Sequence, residues 1–112
     1  MKMQSHQAAK ESFDETRDLF VAFGDRSRQD IIVALAENSR MTVKELAQAI
    51  GLSRPATSHH IRILKDAGLL GERKEGVRTY YYPVLDKAFS QLKQFIALAD
   101  DAFQSGAVKE YK

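Results

Sequence analysis

The chain has 112 residues, 44% of them hydrophobic and 29% charged, with six glycines, two prolines and no cysteine. This length and composition predict one compact domain with a small core and argue against disorder. The longest apolar run, Ile31–Ala36, is too short to cross a bilayer, and the first ten residues contain no apolar segment typical of a secretory signal. Without cysteine, disulfides, thiolate zinc sites and thiol redox chemistry are excluded, and we expect a cytoplasmic protein without membrane contacts.

The net charge of +2 is unevenly distributed along the chain. Residues 1–39 carry five Lys/Arg and seven Asp/Glu, residues 40–85 carry eight and four, and residues 86–112 carry four of each. The middle segment therefore has four excess positive charges. Such an excess favours a polyanionic partner for this segment, although a solvated face would produce the same count.

The first half of the chain predicts four helices. The first spans about 8–23 and ends at Gly24. One face of this helix carries Ala9, Phe13, Thr16, Phe20 and Phe23. The second helix, capped by Asp25 or Ser27, runs to about residue 38 with Ile31, Ile32 and Leu35 inward.

The third and fourth helices form a pair joined by a tight turn. A Thr-x-x-Glu capping box, Thr42 with Glu45, opens a helix over 43–50, and Gly51 ends it. Ser53 caps the next helix, which tolerates a proline in its first turn and runs to about residue 67. A helix pair of this kind is typical of a helix-turn-helix, here over about 42–67.

The second half predicts a hairpin and one more helix. Residues 69–74 and 77–82 read as two strands with Gly76 in the turn, and Pro83 prevents the second from continuing as a central strand. The last helix begins at Asp86 and ends near 105–106. Its predicted stripe consists of Phe89, Leu92, Ile96, Ala99 and Phe103. The order of elements predicts a mainly α, winged helix-turn-helix fold in a single domain over 1–112, with the wing at about 69–82.

Three segments resemble the ArsR/SmtB family of bacterial transcriptional repressors. Residues 23–28, Phe-Gly-Asp-Arg-Ser-Arg, are similar to the family's Leu-Gly-Asp-Pro-Thr-Arg, and residues 52–70, LSRPATSHHIRILKDAGLL, look like its recognition-helix segment almost residue for residue. Tyr80-Tyr81-Tyr82 also matches. The resemblance covers about residues 15–104 and implies a homodimeric, sequence-specific DNA-binding repressor. Arg26 and Gln29 depart from the family's usual Pro and Leu, outside the DNA-reading segment.

Helical spacing divides the recognition segment into two faces. At 100° per residue, the core face contains Thr57, His60, Ile61, Leu64 and Gly68. Nine residues are predicted to contact double-stranded DNA: Thr42, Arg54, Ser58, His59, Arg62, Lys65, Arg73, Lys74 and Arg78. Arginine donates in bidentate fashion to guanine, and wing cations reach phosphates or the minor groove. His60 is predicted to be a structural, hydrogen-bonded histidine, and the three tyrosines to be strand and core residues rather than base-stacking platforms.

The terminal helices, at about 8–23 and 86–104, carry more aromatic side chains than a small core needs. Exposed on a monomer, they would form an unusually large apolar patch. We therefore predict a two-fold homodimer in which these helices pack against their symmetry mates. The predicted interface residues are Phe13, Phe20, Phe89, Phe95, Ile96 and Phe103. The alternative is a monomer whose long helices wrap the core.

The resemblance does not extend to metal sensing. Residues 43–47 stand where relatives carry cysteine ligands, and a last-helix metal pattern aligned from Asp86 meets Ala88, Ala99 and Ala102. We predict no cofactor and no thiolate-bound metal, which leaves the effector, a small molecule or a metal ion, unidentified. Four further residues could form a carboxylate site but are better explained as solvated helix ends: His6, Asp100, Asp101 and Glu110.

Two other classes of function, a protein-interaction module and an enzyme, fit the sequence less well than a DNA-binding repressor. A winged-helix protein-interaction module without DNA binding is the alternative, but its exposed recognition face would favour apolar or acidic residues over the basic and polar ones present. An enzyme is disfavoured because the chain has no cysteine nucleophile, no Gly-rich phosphate loop and no convincing catalytic triad.

Overall fold

The computed structural model describes residues 2–104, and the side chains of residues 6–104. The elements in chain order are α1 Lys2–Phe23, α2 Arg26–Asn38, α3 Val43–Ile50, α4 Arg54–Asp66, β1 Leu70–Glu75, β2 Arg78–Pro83 and α5 Asp86–Ala102. They form two compact units, one built from residues 19–85 and the other from the chain on either side of it. The predicted helix, helix, helix, turn, helix, hairpin, helix order is confirmed.

Local capping determines where the helices of the 19–85 unit begin. The Asp25 carboxylate accepts from the Arg28 N–H (3.1 Å), so that Asp25 rather than Ser27 caps α2. Thr42 and Glu45 form the predicted capping box of α3, and Ser53 caps α4 by accepting from the Ala56 N–H (3.2 Å). Each cap satisfies an amide that the helix itself leaves without a partner. Gly51, in the left-handed conformation (φ 74°), ends α3 and makes the turn into α4.

The predicted hairpin is confirmed, with its strands displaced by one residue. β1 and β2 pair antiparallel from Leu70↔Pro83 to Glu75↔Arg78, and Gly76 (φ 64°) takes the turn. Pro83 is accommodated because it is the last residue of β2, where a missing donor costs little. The other side of β2 is bridged by Met41, whose amide donates to the Tyr81 carbonyl (3.0 Å) and whose carbonyl accepts from the Tyr81 amide (2.8 Å). This bridge ties the wing to the connection between α2 and α3.

The core of the 19–85 unit is made of aliphatic side chains from its helices and β1. Its largest fully buried residues are Ile31, Leu35, Leu46, Thr57, Leu64 and Leu69. The Thr57 hydroxyl donates to the Ser53 carbonyl (2.8 Å), so its burial leaves no polar atom unsatisfied. Gly68, placed on the core face by the sequence analysis, is exposed. That placement was wrong because α4 ends at Asp66 and the helical spacing no longer applies.

The aromatic residues that share one face of α1 are not its buried side chains in the single chain. Buried side chains on α1 are Ser12, Thr16, Leu19 and Ala22, whereas Phe13 and Phe20 are 52% and 43% exposed. The Thr16 hydroxyl donates to the Ser12 carbonyl (2.7 Å), which allows these small polar residues to be buried. α1 begins at Lys2, about six residues earlier than expected.

The largest residues of the stripe predicted for α5 are likewise not its buried side chains in the single chain. Ala88 and Ala102 are the buried residues of α5, while Phe89, Ile96 and, just after the helix, Phe103 are exposed. The helix end expected near 105–106 lies outside the described residues.

Candidate nucleic-acid interface

Helix α4 exposes the polar face that its spacing predicts. Thr57, Ile61 and Leu64 are buried, whereas five residues predicted to contact DNA are exposed: Arg54, Ser58, His59, Arg62 and Lys65. The assignment of the core and exposed faces over residues 54–66 is therefore confirmed. Whether the exposed side chains touch DNA stays a prediction.

A cleft of about 630 Å³ lies between α3, the beginning of α4 and the wing. Its walls bring together Thr42, Arg54 and Arg78, which are 12 to 36 positions apart in the sequence. Lys44 and Gln48 line the same cleft and also border, with Arg54, a shallower depression of about 280 Å³ beside the helix-turn-helix turn. The cleft is therefore lined by three cations, Lys44, Arg54 and Arg78, and by the Glu45 carboxylate, and it is large enough for part of a DNA phosphate backbone.

Sequence reasoning missed Lys44 and Gln48. Both are exposed on α3, opposite the buried pair Leu46 and Ala47. The signal was present in the helical spacing of residues 43–50, which places them on the polar face of α3.

The capping box modifies the phosphate site predicted at Thr42. The Glu45 carboxylate accepts from the Thr42 N–H (2.9 Å), and the Thr42 hydroxyl accepts from the Glu45 N–H (3.2 Å). The bond from the Thr42 amide lowers the pKa of Glu45 below its usual value, which keeps the carboxylate ionised. The Thr42 amide is thus engaged, so the predicted phosphate contact falls to its hydroxyl and the amides that follow.

Two glutamates of the wing are ion-paired with basic side chains outside it. Glu72 on β1 is hydrogen-bonded and ion-paired with Lys65 of α4, and Glu75 with Arg40 in the connection before α3. The Arg40 guanidinium also lies 4.2 Å from the centroid of the Tyr80 ring. The bond to Glu72 raises the pKa of Lys65 above its usual value. The wing acids, which the sequence analysis did not assign to partners, brace the wing against its neighbours.

The predicted wing cations are all exposed. Arg73 lies with its Nε 3.8 Å from a Glu75 oxygen, and Lys74 and Arg78 flank the turn on the two strands. Tyr80 and Tyr81 are half-buried on β2, which agrees with their prediction as strand residues, while Tyr82 is exposed to 37%. The ring of Tyr82 lies over the main chain of its partner Gly71.

His60 packs behind the exposed face of α4. Its Nδ1 lies 3.1 Å from the Arg28 Nη1, and its side chain is 16% exposed. The prediction of a structural, hydrogen-bonded histidine is confirmed. Arg28 also donates from Nε to the Ala22 carbonyl (2.9 Å) and from Nη2 to the Val21 carbonyl (3.1 Å). Sequence reasoning did not single out Arg28, although it lies in the 23–28 segment that carries the family resemblance.

The unit built from the chain ends presents apolar side chains on its surface. Ile96 of α5 is 63% exposed and Phe103, just after the helix, is 60% exposed, while Phe89 is 45% exposed. Phe95 is half-buried, with its ring centroid 4.3 Å from that of Phe13. A groove of about 460 Å³ lies beside them, lined mostly by apolar atoms of α1 and the end of α5.

Residues 2–104 contain no group of three or more His, Cys, Asp or Glu placed to hold a metal ion. Ala88 and Ala102, which stand at two of the positions where the resemblance expects last-helix ligands, are buried packing residues. Glu110, one member of the alternative carboxylate site, lies outside the described residues. Within the described part of the chain, no helix combines the length and apolar character needed to cross a membrane.

These elements define a winged helix-turn-helix protein of the DNA-binding class. The family model "Bacterial regulatory protein, arsR family" matches residues 25–71. The uncharacterized HTH-type transcriptional regulator MJ1325 of Methanocaldococcus jannaschii is 38% identical over 91 residues, covering 81% of this chain and 98% of that protein. The transcriptional repressor SdpR of Bacillus subtilis is 30% identical over 87 residues, covering 75% of this chain and 96% of that protein.

Among solved structures, the fold is similar to the homodimeric winged helix-turn-helix DNA-binding domain Mb0332 of Mycobacterium bovis. The TM-score is 0.63 at 24% identity, and the match covers 88% of this chain and 90% of that one. The chain belongs to the ArsR family of bacterial regulatory proteins. It is a non-enzymatic, DNA-binding regulator of transcription.

Proposed function

We propose that this chain is a homodimeric repressor that reads a palindromic operator. Helix α4 enters the major groove, and the wing lies on the adjacent backbone or minor groove. The observation that carries this proposal is the cleft in which Thr42, Arg54 and Arg78 meet beside the exposed face of α4. An operator is chromosomal DNA, so the proposed location is cytoplasmic.

Side-chain chemistry suggests a role for each part of this surface. Arg54 and Arg62 have the planar fork that pairs with the O6 and N7 of guanine, and Ser58 and His59 contact base edges or phosphates. Thr42 and Lys44 at the start of α3 suit phosphates, as do Arg73, Lys74 and Arg78 on the wing. Lys65 reaches a phosphate only by leaving Glu72, with which it is paired.

A dimer is proposed from the exposed apolar residues of α5. Phe89 and Ile96 of α5, and Phe103 just after it, are exposed although they are among the largest apolar side chains of that segment. Monomeric proteins rarely leave a contiguous apolar patch of this kind open to water. A two-fold dimer would cover these side chains and present two recognition helices to half-sites about 34–36 Å apart.

DNA binding is tested by fluorescence anisotropy with a duplex from the protein's own promoter region and a shuffled duplex of equal composition. We expect a preference of about 10³-fold or more for the promoter duplex and a steep loss of affinity with salt. Arg54→Ala should weaken operator binding, whereas Arg17→Ala removes the same charge from α1 and should not. Salt-insensitive binding without preference between the duplexes would reject the proposal in favour of a protein-interaction module.

Assembly is tested separately by sedimentation equilibrium at micromolar concentration. The proposed dimer has twice the chain mass of 12.6 kDa. A single species at 12.6 kDa under those conditions would reject the dimer while leaving DNA recognition by each chain to be judged from the anisotropy data.

A further inference from the structure

The Arg28 side chain joins three segments of the 19–85 unit. Its guanidinium donates to the carbonyls of Val21 and Ala22 near the end of α1 and contacts Nδ1 of His60 in α4. The backbone amide of Arg28 is itself bonded to the Asp25 carboxylate. Carbonyls at a helix end lack partners within the helix, and a guanidinium both satisfies them and complements the negative end of the helix dipole.

The contact with Arg28 requires an acceptor at Nδ1 of His60. A guanidinium stays protonated in proteins and has no acceptor atom, so the 3.1 Å contact is a hydrogen bond only when Nδ1 accepts. His60 must then be neutral with its proton on Nε2. In imidazolium both ring nitrogens are donors, which would place two cations face to face.

Asp25 offers a protonated His60 a different partner. Its Oδ1 lies 3.9 Å from the same Nδ1 of His60. The bond from the Arg28 amide lowers the pKa of Asp25, so this carboxylate stays charged where histidine titrates. Among the described residues, the charged and titratable groups around His60 are therefore Arg28, Asp25 and the His59 ring, whose centroid is 5.7 Å away.

We propose that Arg28 is a positioning residue for α4, and that protonation of His60 releases it and weakens operator binding. His60 is flanked in sequence by Ser58, His59 and Arg62, so a displacement of α4 at this point moves the residues proposed to read bases. The end of α1 and the recognition helix are thereby coupled through one guanidinium. This inference rests on the proposed function, in that α4 must be the element that reads DNA.

The test compares the wild-type protein with His60→Asn at pH 8.0 and pH 5.5. The asparagine Oδ1 takes the position of Nδ1 as an acceptor for Arg28 but does not titrate. A protonated His60 offers Arg28 no acceptor, so wild-type operator affinity should fall several-fold relative to the variant at pH 5.5. At pH 8.0 the two proteins should bind equally. Phosphate contacts and His59 are common to both, so their pH effects cancel in the ratio of the two affinities.

A second comparison separates positioning from general packing. Arg28→Lys keeps the charge but cannot bind both carbonyls and the imidazole at once, so we expect weaker operator binding at pH 8.0 and a smaller pH dependence. His59→Asn is the matched control for the neighbouring ring and should retain the pH dependence assigned to His60. Circular dichroism and thermal midpoints at both pH values identify any variant that unfolds.

Nitrogen-15 NMR of the wild-type imidazoles gives a readout that needs no variant. At pH 8.0 the His60 spectrum should show the Nε2–H form, with Nδ1 unprotonated. An Nδ1–H form, or an affinity ratio between wild type and His60→Asn that is flat from pH 8.0 to 5.5, would overturn the inference. Absence of operator preference by the wild type at pH 8.0 would instead reject the proposed function, so the two failures are distinguishable.

Discussion

Replacing Glu72 by glutamine should strengthen DNA binding, because Glu72 competes with phosphate for a cation of the proposed interface. Lys65 Nζ is ion-paired with the Glu72 carboxylate, and the two side chains are 38% and 33% exposed. Glutamine has nearly the same shape as glutamate but no charge. The change frees Lys65, while the Arg40–Glu75 pair and the backbone bonds between Met41 and Tyr81 still hold the wing beside the helices.

The expected gain follows from the strength of an exposed ion pair. Separating such a pair costs about 0.2–1 kcal/mol, which the wild type must supply before Lys65 can contact a phosphate. Removing that cost tightens binding by roughly 1.4- to 5-fold per protomer, or about 2- to 30-fold for a dimer that uses both lysines. A full new phosphate contact also steepens the slope of log affinity against log salt by about 0.9 per protomer.

Anisotropy titrations between 50 and 200 mM salt measure both quantities on the same duplex. The decisive comparison is a double-mutant cycle with Lys65→Gln, in whose background Glu72→Gln should add little. Glu37→Gln, at an exposed position on α2, adds the same charge elsewhere and serves as a control. A gain of equal size in the Lys65→Gln background would refute the reasoning, because the effect would then be one of total charge alone.

Four further predictions concern α4, α5 and the capping box of α3. His59→Ala and Arg62→Ala should each cost about 1–3 kcal/mol of specific DNA binding without changing the thermal midpoint; wild-type affinity in both would contradict the assigned facing of α4. Ile96→Glu places a charge on the exposed face of α5 and should convert the dimer to monomer in sedimentation runs, and an intact dimer would exclude that face from the interface. Thr42→Ala should lower the free energy of unfolding in urea by about 0.5–2 kcal/mol. Because the pKa of Glu45 is lowered on folding, its stabilising contribution is present above its usual value of 4.5 and lost as pH falls through the folded value. Glu45→Gln should therefore remove part of the acid sensitivity of stability, and an unchanged pH profile would contradict this assignment.

The sequence predicted those parts of the fold that depend on neighbours within four residues. The Thr42 capping box, the Ser53 cap and the Gly51 turn each involve local hydrogen bonds or backbone conformations, and α3 begins and ends where they indicate. The buried side chains of α1 were not predictable in this way. Periodicity grouped Phe13, Thr16 and Phe20 on one face, but small side chains such as Ser12 and Ala22 are the ones buried, which depends on how α1 packs in the folded chain.

The exposed face of α4 was predictable because the regular 100° spacing of an α-helix fixes which residues point away from Thr57, Ile61 and Leu64. The contacts that position this face were not. Lys65 and Glu72 are seven residues apart, Arg28 and His60 are 32 apart, and Arg40 and Glu75 are 35 apart. No local pattern pairs these residues, since each pair forms only after β1, α2 and α4 have packed.

The cations of the middle segment, residues 40–85, therefore fall into two groups, those paired with wing glutamates and those left exposed. Of its eight Lys/Arg residues, Lys65 and Arg40 are hydrogen-bonded to the wing glutamates, and both bonds attach the hairpin to the helical part of the unit. Arg54, Arg62 and Arg78 remain exposed on α4 and β2. Fixing the wing in this way lowers the conformational entropy lost on binding, because the hairpin is already held beside α4. The acids that reduce the net charge of the proposed DNA-binding face thus also preorganise it.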